Sequence, residues 1–191
     1  MKLFIVWSDK SDAGKDTVAE LLSELVPLTI VKFSRAFKTP LEDWLGLDRG
    51  SLDDKEFRIK PVVNPVTGNL ESFTYNDLMY NFFHVFKSLY PSGNYLVPGA
   101  TKNVINSIIG NVAIVDCRNQ TELELLKLLD TSRSYELVLL HIDGRGETKS
   151  TDLDIKLDDW SFVSTQYYID NSGTMAELRD KVRKIVEDLY E

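Results

Sequence analysis

The sequence predicts a three-layer α/β fold on a parallel sheet of about five strands. Short apolar runs rich in β-formers alternate with amphipathic stretches at both ends of the chain. Between those ends lies a long, mostly helical insertion broken by Pro-containing turns. The 191 residues are 43% hydrophobic and 27% charged, which suits a globular chain and not a disordered one.

Lys2 to Trp7 (KLFIVW) reads as a buried strand. Ser8 to Lys15 is a polar loop ending in Gly14-Lys15. From Asp16 on, Val18, Leu21, Leu22 and Leu25 recur at spacings of three and four, one face of a helix that Pro27 ends. Leu28 to Phe33 (LTIVKF) is the second strand, so the chain opens with a βαβ unit.

Ala36 to Leu45 is amphipathic despite Pro40, Asp53 to Lys60 is charged, and Pro61 to Gly68 is a turn-rich break. Thr74 to Leu89 places Leu78, Phe82, Val85, Phe86 and Leu89 on one face, with Thr74 as N-cap and Asp77 three residues on. After the break at Pro91 to Pro98 and a short helix or connector at Val104 to Ile109, the alternation resumes. Asn111 to Val115 and Glu136 to Ile142 are strands flanking a helix at Thr121 to Leu129. Asp143 to Trp160, with six acids and few apolar anchors, reads as a lid. Gln166 to Ile169 is the last strand, and Ser172 or Thr174 caps the last helix. The expected organisation is one domain over 1–191, with a helical lobe at about 36–110 and the lid at about 143–160.

Composition excludes several function classes. A single cysteine, Cys117, forbids an internal disulfide and any Cys-rich zinc site, and two histidines make a His-based metal centre a poor expectation. No apolar run approaches the ~18 residues of a membrane span. The run Leu3–Trp7 is too short for a secretory signal, so a cytoplasmic protein is expected. A net charge of −8 argues against nucleic-acid polymers as partners. Residues 1–40 are nearly balanced, with six bases and five acids, which would suit a local anion site on an acidic body.

The segment Ser8-Asp9-Lys10-Ser11-Asp12-Ala13-Gly14-Lys15-Asp16-Thr17 partly matches the phosphate-loop pattern G-x-x-x-x-G-K-[ST]. Gly14 and Lys15 match and the strand–loop–helix setting is right; Asp9 replaces the first glycine, and Asp16 delays the threonine to Thr17. A helix N-terminus presents free N–H groups and a favourable dipole to phosphate. Ala13 and Gly14 would supply backbone contacts, Lys15 would reach the β/γ-phosphates, and Asp16 or Thr17 would serve Mg²⁺ directly or through water. Read without that setting, the segment is a polar surface loop with an incidental Gly-Lys.

Asp116 and Arg118 stand at the carboxyl end of a strand, the edge that faces the ligand crevice in open α/β sheets. Asp116 would order a Mg²⁺ water and Arg118 would stabilise a transferring phosphoryl group; a helix cap and a surface ion pair are the structural alternatives. Arg35 and Lys38 follow the second strand, and Arg58 lies in a basic group with Lys55 and Lys60; all three would bind a second phosphate, unless they line a solvated face. Arg145, between Gly144 and Gly146, would close from the lid or sit idle in a turn. His84 reads as a partly buried structural histidine and Cys117 as a buried, inert thiol.

Taken in order, these segments resemble the deoxynucleoside monophosphate kinases of bacteriophages, within the P-loop nucleoside monophosphate kinase group. Gly14-Lys15-Asp16-Thr17-Val18-Ala19 is similar to that family's phosphate-loop variant, Phe33-Ser34-Arg35-Ala36-Phe37-Lys38 to its segment after the second strand, and Val115-Asp116-Cys117-Arg118-Asn119 to its Asp-x-Arg strand end. Tyr168-Ile169-Asp170-Asn171-Ser172-Gly173-Thr174 is similar to the opening of its last helix. The chain departs from the pattern at Asp9, and at Asn76, where the family carries arginine. The resemblance implies a P-loop kinase fold with a helical substrate-binding insertion. It also implies ATP and Mg²⁺ as cofactors and phosphorylation of a (deoxy)nucleoside monophosphate, with Lys15, Arg118 and Arg145 in catalysis. The host cytoplasm is then the expected location, and a homodimer stays open. A catalytically silent nucleotide- or partner-binding protein, or a small-molecule kinase of the dephospho-coenzyme A type, are the alternatives.

Overall fold

A computed structural model describes residues 1–89, 96–131, 135–144, 147–148 and 155–191. The element order is β1 (Lys2–Trp7), β2 (Lys10–Ser11), α1 (Lys15–Leu25), β3 (Leu28–Val31), α2 (Arg35–Leu45), a 3-10 turn (Ser51–Asp53), α3 (Lys55–Arg58), β4 (Pro61–Val63), β5 (Leu70–Thr74) and α4 (Tyr75–Leu89). There follow α5 (Leu96–Ser107), β6 (Asn111–Ile114), α6 (Gln120–Thr131), β7 (Glu136–Asp143), β8 (Glu147–Thr148), a second 3-10 turn (Leu157–Trp160), β9 (Thr165–Asp170) and α7 (Met175–Tyr190). The chain divides into two compact units, one of residues 1–33 with 101–191 and one of residues 34–100.

The first unit is the expected three-layer α/β domain. The five strands of its main sheet run in the order β3-β6-β1-β7-β9, and every pairing within that sheet is parallel. Parallel strands covered on both faces must be apolar on both, and β1 is: Leu3, Phe4, Ile5, Val6 and Trp7 are all buried. Alternate residues divide between the two layers. Phe4, Val6, Ala113, Val138 and Leu140 pack with Val18, Leu21 and Leu22 of α1 and Leu178, Val182 and Ile185 of α7. Trp7 turns the other way, its ring 5.8 Å from that of Trp160.

The crossover after β1 leads to one side of the sheet and that after β6 to the other, so these adjacent strands diverge at their carboxyl ends. Right-handed crossovers in opposite directions put α1 and α6 on opposite faces. A crevice at such a switch point is where α/β sheets bind ligands, and the 8–14 loop and Asp116 flank it.

The second unit has its own core of Leu41, Leu52, Val62, Tyr75 and Met79. Residues 61–74, of which the sequence reads Pro61 to Gly68 as a turn-rich break, form an antiparallel hairpin of β4 and β5. The Asn64 carboxamide oxygen accepts from the Val66 and Thr67 amides and builds the turn locally. Too short to show a period, the strands hide behind their own turn residues. The expected α4 cap is present: Thr74 Oγ1 accepts from Asp77 N at 3.2 Å and Asp77 Oδ2 from Thr74 N at 2.9 Å. His84 is exposed rather than partly buried; its ring lies 4.1 Å from that of Tyr80, one helical turn back.

Among the described residues no helix is long and apolar enough to cross a membrane. Trp160 is fully buried, yet its indole nitrogen has no partner among the described residues. Trp160→Ala is therefore expected to cost about 3–5 kcal/mol in urea unfolding, while Trp160→Phe, which removes the unpaired N–H and keeps the ring, stays within about 1 kcal/mol of the parent.

Candidate functional site

The site in the first unit is built on the turn from β1 into α1. Ser8 is buried, and its hydroxyl oxygen accepts from the Lys10 amide at 3.1 Å, folding the chain back at once. Lys10 and Ser11 then pair antiparallel with Thr148 and Glu147, a two-residue ribbon that the polar sequence does not announce. Asp12 is left-handed at φ 56°, a conformation aspartate tolerates. Ala13 is buried, and Gly14, left-handed at φ 94°, opens α1 with no side chain capping its first turn. A helix start of this kind turns its first amides outward, the arrangement that binds anions.

Asn171 holds this turn from the far side. Its Nδ2 donates to the Ala13 carbonyl at 2.8 Å, and its backbone N donates to the Asp143 carbonyl at 2.7 Å. The side chain is packed so closely that a Cβ on Gly14 would run into the Asn171 amide nitrogen. Glycine is thus required at 14 twice over, by φ and by contact.

Lys15 folds back across the loop, and its Nζ donates to the Lys10 carbonyl at 2.9 Å. Burial is the main cause lowering its pKa, with Arg118 adding to it; Asp16, Asp12 and Asp9 pull the other way. Asp9 is exposed, so the carboxylate that replaces the pattern's first glycine stands at the surface and offsets the lysine's burial. Asp16 pairs with Lys32 at 2.7 Å, and Thr17 is half-buried in the first helical turn. Lys10 pairs with Asp143 at 2.6 Å, which lowers that carboxyl's pKa.

Asp116 Oδ1 accepts from the Phe33 amide at 2.7 Å, tying the residues that follow the neighbouring strands β6 and β3. Arg118 is exposed, and its charge acts on Lys15, so the two predicted cations share one field. Cys117 is buried, and burial raises its thiol pKa. Arg145 lies outside the described residues. No group of three or more His, Cys, Asp or Glu side chains that could hold a metal occurs among the described residues. A Mg²⁺ ion that takes most of its ligands from phosphate and water needs only one or two protein oxygens, for which Thr17 in the first turn of α1 and Asp116 after β6 are the candidates.

The sequence marks Glu122 only as an acid of the helix that follows Asp116-x-Arg118, with no role of its own. It is buried; its Oε2 accepts from Arg118 N at 2.6 Å and Asn119 N at 3.3 Å, while Asn119 Oδ1 accepts from Glu122 N at 3.0 Å. This capping box fixes the start of α6, and the Asn-x-x-Glu spacing could have disclosed it. Burial, helped by Asp116 and opposed by these hydrogen bonds, raises the Glu122 pKa to about 7.

A second gap is the aromatic wall beside the loop. His141 lies opposite Trp7 in the β1–β7 register, ring centroids 5.1 Å apart, and meets Tyr168 edge-on at 5.2 Å. Neither its ring nitrogens nor the Trp7 indole nitrogen has a partner in the described structure, and burial lowers the histidine's pKa.

The remaining predicted residues belong to the second unit. Arg35 Nη1 meets Glu42 at 3.1 Å and Asp53 at 3.2 Å, and Lys38 Nζ meets Asp53 at 2.7 Å. Arg35 and Lys38 are thus brought together. Arg58 closes α3, half-buried, its Nε without a partner among the described residues. Glu42 and Asp53 carried no sequence signal, being acids scattered 7 and 18 residues from Arg35.

Two measurements check this geometry. Gly14→Ala and Asn171→Ala each destabilise the fold, but the double variant loses less than the sum of the two, a coupling of about 0.5–3 kcal/mol in a double-mutant cycle. For Glu122 the folded pKa lies above its ordinary value, so the native state binds the extra proton. Stability then falls as pH rises from about 4.5 to about 7, by on the order of 3 kcal/mol, and Glu122→Gln removes that slope in urea titrations.

No protein-family model and no curated protein matches the chain. Among solved structures, it is similar to a gluconokinase from Sinorhizobium meliloti 1021, with 10% identity over 99% of this chain and 95% of that one and a TM-score of 0.47. It is also similar to a sugar kinase from Janibacter sp. HTCC2649, with 10% identity over 98% and 95% and a TM-score of 0.41. Likeness at this level adds nothing to the layout of sheet and helices already described.

Proposed function

We propose that the chain transfers the γ-phosphoryl group of ATP to a nucleoside monophosphate. The observation that carries this reading is the turn at 13–15. There an uncapped helix start, a left-handed glycine and a lysine folded over the loop sit at the carboxyl end of the first strand, beside the switch point.

In this reading the amides at the start of α1 hold the phosphates of ATP. Lys15 leaves the Lys10 carbonyl to meet the β/γ-phosphates; its lowered pKa reflects a partly desolvated ammonium, which gains most from an incoming anion. Thr17 and Asp116 would hold Mg²⁺, with Asp16 acting through water, and the ion would supply neutralisation of phosphate charge. Arg118 orients the transferring group, and Arg145, outside the described residues, is kept as a further expected cation for it. The acceptor's phosphate is held by Arg35, Lys38 and Arg58. A phosphate oxygen of the acceptor bonds to the γ-phosphorus as the β–γ bridging bond breaks, leaving ADP. Such transfer relies on positioning and electrostatics, so no nucleophilic side chain is called for.

A second reading, a nucleotide-binding protein without turnover, is favoured by the commitment of Asp116 to the Phe33 amide. A coupled ADP-release assay over a panel of ribo- and deoxyribonucleoside monophosphates separates the two. The kinase reading expects turnover with at least one acceptor, and a loss of about 10³-fold or more in kcat/KM for Lys15→Met. Tight ATP binding with no turnover on any acceptor would favour the second reading.

A further inference from the structure

Two bases and two acids interlock in the second unit, and the two acids are held differently. Glu42 is fully buried; its Oε1 accepts from Arg35 Nη1 at 3.1 Å, Gly50 N at 3.1 Å and Leu52 N at 3.0 Å. It cannot leave without stranding the guanidinium and two turn amides, so it is a fixed counter-ion. Asp53 is partly exposed, with a side-chain accessibility of 32%, at the end of the 3-10 turn Ser51–Asp53. That turn starts at Gly50, left-handed at φ 94°. Its carboxylate spreads over both cations, Oδ1 on Lys38 Nζ at 2.7 Å and Oδ2 on Arg35 Nη1 at 3.2 Å.

One oxygen on a lysine and one on an arginine is the grip that a phosphate monoester takes from the same two side chains. With Asp53 in place, two cations face two anions and the cluster has no net positive charge to offer a phosphate. With Asp53 withdrawn, Glu42 still orients Arg35 and the cluster carries one unbalanced positive charge. We propose that Asp53 is a built-in competitor, occupying the Arg35–Lys38 anion position until the phosphate of a monoester displaces it. The occupant rests on the phosphotransfer reading; the competition does not.

The test is calorimetric binding of inorganic phosphate, and separately of deoxynucleoside monophosphates, to the full chain and to Asp53→Asn and Asp53→Ser, with melting curves alongside. Removing a competitor raises the fraction of binding-competent protein, so both variants are expected to bind phosphate at least about fivefold more tightly. Adding Lys38→Met should abolish that gain. The monophosphate arm tells a nucleotide's phosphate from the free ion: a larger gain for the nucleotide identifies the monoester as occupant, and an equal gain reduces the site to one for free phosphate. Unchanged or weaker phosphate binding in variants that melt like the parent overturns the proposal. So does unfolding of both variants, which would make Asp53 a structural cross-link. Tighter phosphate binding without turnover on any acceptor upholds the competitor and sinks only the kinase reading.

Discussion

The hydrogen bond from the Asn171 amide to the Ala13 carbonyl is the constraint on which the site depends. It joins the residue after the last strand to the turn after the first, and its backbone partner at Asp143 draws in the strand between them. With those ends fixed, the turn must take a left-handed residue at 14, and the helix starts there without a cap. A start without a side-chain cap is a cost to a helix, which makes sense where an anion completes its first turn. Lys15 answers the same need from its side chain, borrowing the Lys10 carbonyl while no stronger partner is present.

Charge around this turn is balanced locally. The surface carboxylates Asp9 and Asp12 reduce the strain of a half-desolvated ammonium, and Lys10 is taken up by Asp143. What looked in the sequence like damage to a phosphate loop is, in the folded chain, a set of exposed acids around a sheltered base. The second unit repeats the theme more tightly, with Arg35 and Lys38 already facing carboxylates. Both predicted phosphate-binding groups thus exist in a self-neutralised form, which limits non-specific anion capture on a chain whose net charge is already −8.

Much of the fold was legible because its signals are local and repeated. The apolar runs of β1 and β7, the three-and-four spacing in α1, and the Thr74 and Thr174 caps all report on neighbouring residues in the chain. Gly14 and Lys15 stood out for the same reason. The β2–β8 ribbon and the β4–β5 hairpin were hidden because strands of two to five residues among turn formers have no readable period. Asn171 was visible as part of a motif, but its contact with Ala13 spans 158 positions and could not be inferred. Glu42 and Asp53 look like ordinary surface acids until the turn at 50–53 folds one of them inward.

The most direct test is a crystal structure grown with a non-hydrolysable ATP analogue and Mg²⁺. The account predicts the triphosphate on the amides at residues 14–17, Lys15 Nζ moved from the Lys10 carbonyl to the β/γ-phosphates, and the Asn171–Ala13 bond intact. A nucleotide bound elsewhere, with Lys15 still on that carbonyl, would contradict it.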